Sequence, residues 1–160
     1  MATLNVRSAE PPWAALVVLK AGQAPDTLPM PPDGFVRQVI SGSQCRTKPG
    51  LLSEFARVLE FPSYFGRNWD AFEDCLTDLE WLPAAGYLLI IANAEQLLRG
   101  HREDYKTFLS IIRHAGTEWA TPQSGHRSRK ATPFHVVLTV SEDQRAKRRG
   151  WGVPLVTFDD

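Results

Sequence analysis

A chain of 160 residues, 43% hydrophobic and 22% charged, is long enough for one domain with a real core and has the composition of an ordinary soluble protein. Its 18 Lys and Arg balance 18 Asp and Glu, so no overall field advertises a nucleic-acid or membrane-surface partner. No apolar run approaches the roughly 20 residues of a membrane-spanning helix, and the N-terminus lacks a basic leader and a small-residue cleavage site, so the expected address is the cytoplasm.

Residues 1–12 are polar and end in Pro11-Pro12, which reads as a loose lead-in. The continuous apolar run 13–19 has the length of a strand. Residues 21–34 contain Pro25, Pro29, Pro31 and Pro32 and must be a connector, because proline removes backbone donors and fixes φ. A strand follows over 35–40, closed by Ser41-Gly42. Over 47–59 the sequence predicts a helix: Thr47 can cap it, Pro49 suits its first turn, and Leu51, Leu52, Phe55, Val58 and Leu59 make its apolar stripe.

Pro62 and Gly66 punctuate the next loop, and Asn68 is a good N-cap for a short helix reaching toward Trp81. Beyond a turn over 83–86, Tyr87 to Ile91 is apolar at every position, the pattern of a strand covered on both faces. A helix over 101–119 buries Tyr105, Phe108, Leu109, Ile111 and Ile112. A polar, basic loop over 121–132 leads to a strand over 134–140. The charged tail 142–150, whose basic cluster reads as lying in a loop, precedes a candidate short strand over 153–158, which Pro154 would confine to an edge. Strands alternating with helices predict an α/β fold: a parallel sheet of at least three strands with helices on both faces. The segments at Ala14 and Val153 would add strands or cover an edge.

The helix after Asn68 is strongly two-sided. Trp69, Phe72, Cys75, Leu76 and Leu79 fall in one arc, while Asp70, Asp74 and Thr77 lie opposite, flanked by Glu73 and Asp78. Asp70/Asp74 and Asp74/Asp78 are like-charge pairs at i,i+4, each unfavourable by about 0.2–0.5 kcal/mol. No Lys or Arg lies between Asn68 and Trp81 to neutralise them. Such a row is either a solvated face or one whose counter-charges come from a basic partner. Trp69, at the border of the arc, reads as core or as an interface anchor.

Catalytic patterns are absent. Asp70 and Asp74 on adjacent turns offer nothing to separate their acidities as an acid/base pair needs. Cys75 reads as a buried helix thiol rather than a nucleophile, with a Cys45–Cys75 disulfide left open. The four histidines show no metal-ligand spacing: His135 reads as packed in its strand and His114 as exposed. No phosphate-binding glycine motif occurs, and no cofactor or metal is expected. The basic clusters at 126–130 and 145–149, with Trp151 for stacking, leave a minor alternative of nucleic-acid binding.

The stretch Pro62-x-Tyr64-Phe65-Gly66-x-Asn68-x-Asp70-Ala71-x-x-Asp74-Cys75-Leu76-Thr77 resembles the central segment of the barstar family, intracellular inhibitors of the ribonuclease barnase. The resemblance spans about 35–141, leaving 1–34 as an N-terminal extension with a candidate strand and 142–160 as a basic C-terminal extension. It implies a small three-stranded parallel sheet and an inhibitor or immunity protein, not an enzyme. The implied partner is one microbial, extracellular-type guanyl ribonuclease bound one to one.

By resemblance, Asp74 enters the phosphate site and Asp70 pairs with a base at the rim. Tyr64 packs on the cleft and Thr77 adds a polar contact. Gly66 and Asn68 shape the loop at the interface, with Trp69, Glu73 and Glu118 completing the partner-binding set. Glu73 and Leu79 stand where the family has tryptophans, Asp78 where it has glycine, and His114 at the place of an inhibitory glutamate. Those departures point to a target with a differently shaped rim, or to reuse of the scaffold for a non-nuclease partner.

Overall fold

The computed structural model describes residues 2–125 and 128–158. Its strands are β1 (Ala2–Leu4), β2 (Ala14–Leu19), β3 (Phe35–Ser41), β4 (Gly86–Ala92), β5 (Phe134–Ser141) and β6 (Val156–Phe158). Its α-helices are α1 (Lys48–Val58), α2 (Trp69–Asp78), α3 (Arg102–Ala120) and α4 (Glu142–Lys147). The main sheet is parallel throughout, in the order β2-β5-β4-β3. The fold is therefore mixed α/β of the expected kind, with the segment at Ala14 supplying a fourth strand.

The two central strands are buried along almost their whole length, and their side chains alternate between two apolar clusters. Leu89, Ile91, Val136 and Leu138 face the larger cluster with the buried sides of α1, α2 and α3. Leu88, Ile90 and Val137 face a smaller one. Thr47 caps α1 by accepting from the Gly50 amide at 3.2 Å. On α3, Gly116 leaves room for Trp13, whose Cγ lies where a Cβ would stand.

Three expectations need correction. Helices do not cover both faces: the second face of the sheet is closed by Leu4 of β1, Val156 of β6 and Leu28 of the connector. The reason is handedness. The steps β3 to β4 and β4 to β5 run in the same direction across the sheet, so right-handed crossovers set their helices on one side. Second, the described residues of the lead-in, 2–12, are not loose. β1 pairs in parallel with β6, Ala2 opposite Val156 and Leu4 opposite Phe158. His135 ties down the following residues through the Ser8 and Pro12 carbonyls, at 2.7 and 2.9 Å.

Third, the charged tail contains α4, capped by Ser141, with Glu142 and Asp143 in its first turn and Arg145 and Lys147 in its last, as the helix dipole favours. The strand expected near Val153 is β6, beginning after Pro154, whose carbonyl accepts from the Leu16 amide at 2.8 Å. Among the described residues, no helix is long and apolar enough to cross a membrane.

Candidate partner-binding face

The loop before α2 is held by its own backbone. The Phe65 amide donates to the Pro62 carbonyl at 3.0 Å, and Arg67 adopts a left-handed φ of 51°. Asn68 caps as its type predicts: its Oδ1 accepts from the Ala71 amide at 2.8 Å while its Nδ2 donates to the Gly66 carbonyl at 3.2 Å. A Cβ at Gly66 would lie 3.3 Å from that Nδ2, so the glycine lets the cap sit this close.

At the other end Leu79 takes the left-handed conformation that ends a helix, with φ 45°. Two side chains from distant segments then occupy carbonyls of the last turn. Trp119 Nε1 donates to Leu76 O at 2.8 Å, and Arg129 Nη1 donates to Thr77 O at 3.0 Å.

The inner side of α2 is anchored by Phe72, fully buried, with ring centroids 5.1 Å from Phe55, 5.8 Å from Trp69 and 6.2 Å from Phe108. Trp69 therefore packs against the core while staying half-buried, with Lys48 Nζ 5.5 Å from its ring centroid. Cys75 and Cys45 are buried and free, so no disulfide joins them. Burial first, then Asp78 and Asp74, pushes the Cys75 thiol up to about 11, which leaves no thiolate for nucleophilic chemistry near neutral pH.

The outer side is different. Asp70 and Asp74 are exposed, and among the described residues neither carboxylate has an ion-pair or hydrogen-bond partner. Thr77 turns its hydroxyl onto its own helix, donating toward the Glu73 and Asp74 carbonyls at 3.0 and 3.2 Å. Glu73 and Glu118 are joined through His114, Nδ1 lying 3.1 Å from Glu73 Oε1 and Nε2 3.4 Å from Glu118 Oε1. His114 is exposed, as its sequence neighbourhood predicted. Tyr64, on the loop ahead of the helix, is 77% exposed, far more than an aromatic ring favours. Beside the end of α2 opens a cavity of about 750 Å³, lined in part by Asp74, Thr77, Glu118, Trp119 and Arg129.

One arginine of each basic cluster turns inward, while Lys130, Lys147 and Arg149 are exposed. The Arg148 guanidinium donates to the carbonyls of Ala94, Glu95 and Leu97 at 3.1, 3.4 and 2.6 Å and lies over the rings of Tyr105 and Trp151. Trp151 thus packs under its own chain's arginine. Arg129 stacks 3.7 Å from the Trp119 ring centroid. Burial lowers the proton affinity of both arginines. His126 and Arg127 lie outside the described residues.

Sequence reasoning missed the His114 bridge and the Arg129–Trp119 stack. The i,i+4 spacing of His114 and Glu118 was a readable sign of the first. The contact to Glu73 and the stack both join segments far apart in the chain.

A comparison with protein families matches residues 36–139 to a family described as Barstar (barnase inhibitor). No curated protein matches the chain significantly.

Proposed function

The chain belongs to the barstar family, and from that premise we propose that it inhibits a microbial guanyl-type ribonuclease by seating the outer face of α2 in the enzyme's basic cleft. The observation that carries this reading is the pair Asp70 and Asp74: exposed, on a helix fixed at both ends, and without an ion-pair partner among the described residues. A cleft that binds RNA phosphates presents arginine, lysine and histidine. Carboxylates held at the phosphate positions gain charge-assisted hydrogen bonds and exclude the substrate. Opposite fields also speed encounter.

Tyr64 supplies exposed aromatic area, and Gly66 and Asn68 fix the loop that carries it. The test is inhibition of barnase, used as the probe ribonuclease. One-to-one binding that weakens with salt is expected, together with a loss of about thirtyfold or more in Asp74→Ala, the size of an interface hot spot. Full inhibition by that variant overturns the assigned face.

The replacement of a family tryptophan by Glu73, tied to His114, favours a second reading in which the same face takes a basic partner that is not a nuclease. Absence of inhibition, together with capture of such a protein through Asp74, would decide for it.

A further inference from the structure

Glu73 comes from α2 and Glu118 from α3, and His114 stands between them with one ring nitrogen toward each. An imidazole nitrogen donates only when it carries a proton, and the neutral ring has one such nitrogen. Both contacts are therefore attractive ion pairs at the same time only in the imidazolium. In the neutral ring, one carboxylate faces a lone pair and is free to turn elsewhere. The trio is half-exposed and lies beside Asp74, the residue on which the inhibitor reading turns.

The other charged groups nearby do not compete for the two acids as ion-pair partners. Arg113 is turned away to donate to the Gly152 carbonyl. Arg129 bears on Glu118 electrostatically, but its guanidinium lies on Trp119 and the Thr77 carbonyl. Lys48 sits over Trp69. Asp70 and Asp74, on α2 with Glu73, add negative charge.

We infer that His114 is a specificity-determining residue: its ring occupies, between Glu73 and Glu118, the place a cation of the basic partner would take, so this half of the face engages only partners able to displace it. The inference rests on the inhibitor reading above. Displacement breaks the two imidazole–carboxylate contacts, while contacts to the partner's guanidinium or ammonium form in their stead. A partner without a cation opposite α3 leaves the bridge closed and binds through Asp70 and Asp74 alone.

The experiment measures inhibition of barnase by the wild-type protein, His114→Gln and His114→Lys at about pH 5.5 and about pH 8, across the range in which histidines titrate. Taking each value relative to His114→Gln cancels the ribonuclease's own titration. On that scale the wild type should gain about two- to fivefold between the lower and the higher pH, the size of an exposed ion pair. His114→Lys, a permanent internal cation, should inhibit less well than His114→Gln at both. A wild-type to His114→Gln ratio that does not change with pH, or a His114→Lys as tight as His114→Gln, overturns the inference.

In the free protein, the carboxyl carbon resonances of Glu73 and Glu118 should both shift in His114→Gln. Resonances that stay in place overturn the bridge while leaving inhibition through Asp74 standing. Wild-type protein that does not inhibit barnase overturns the inhibitor reading, and with it the displacement.

Discussion

Asp74 and Arg148 carry opposite charges and meet opposite fates. Arg148 is drawn inward, with three backbone carbonyls as acceptors and two aromatic rings as walls. Asp74 sits on a helix whose ends and inner side are fixed, yet its carboxylate faces water with no partner among the described residues. Net charge is zero in this chain, but Arg129 and Arg148 are used internally while Asp70 and Asp74 are left over. Arg129 and Arg148 are thus lost to a nucleic-acid surface, whereas Asp70 and Asp74 stay exposed.

The largest expected effect breaks the inward half of that contrast. Arg148→Ala removes the donor shared by the Ala94, Glu95 and Leu97 carbonyls and strips the cover from Tyr105 and Trp151. Lost charged hydrogen bonds and lost packing together should cost about 2–4 kcal/mol in denaturant unfolding. A cost below about 0.5 kcal/mol would mean that the arginine is a solvated surface residue after all.

A smaller effect belongs to His135, buried with its ring nitrogens 2.7 and 2.9 Å from the Ser8 and Pro12 carbonyls. Burial lowers its proton affinity below the ordinary value near 6.5, against the opposing pull of the Pro12 and Ser8 carbonyls. With the folded pKa depressed, the unfolded chain binds a proton that the folded chain refuses. The stability contribution is complete above about pH 6.5 and is lost as pH falls from there toward the folded value, at no more than about 1.4 kcal/mol per pH unit. Denaturant unfolding at several pH values should show this slope in the wild type and its loss in His135→Gln. An equal slope in both assigns the acid sensitivity to other groups.

Local chemistry made much of this legible in advance. Thr47 and Asn68 cap their helices as their types predict, and the two-sided pattern of α2 placed Phe72 inside and Asp74 outside. What escaped was whatever depends on segments distant in the chain. Leu4 lies in a short stretch of weak apolarity and becomes a strand residue because Phe158 pairs opposite it. The single helical face of the sheet follows from crossover handedness, which apolar periodicity does not encode. His114 was legible as exposed and not as a bridge, because Glu73 reaches it from another helix.

The smallest effect tests the outward half and runs against intuition. Asp74→Ala should leave the protein slightly more stable, by about 0.5 kcal/mol, since alanine is the better helix former and the i,i+4 repulsion from Asp70 disappears. The same substitution should remove most of the inhibition, so binding and stability would move in opposite directions. Sites kept for binding commonly carry such a cost in stability, because the group that would relieve the strain belongs to the partner. Thermal or denaturant unfolding decides the matter. A loss of about 1 kcal/mol or more would show that Asp74 is already engaged within its own fold, and a carboxylate so engaged is not waiting for a basic cleft.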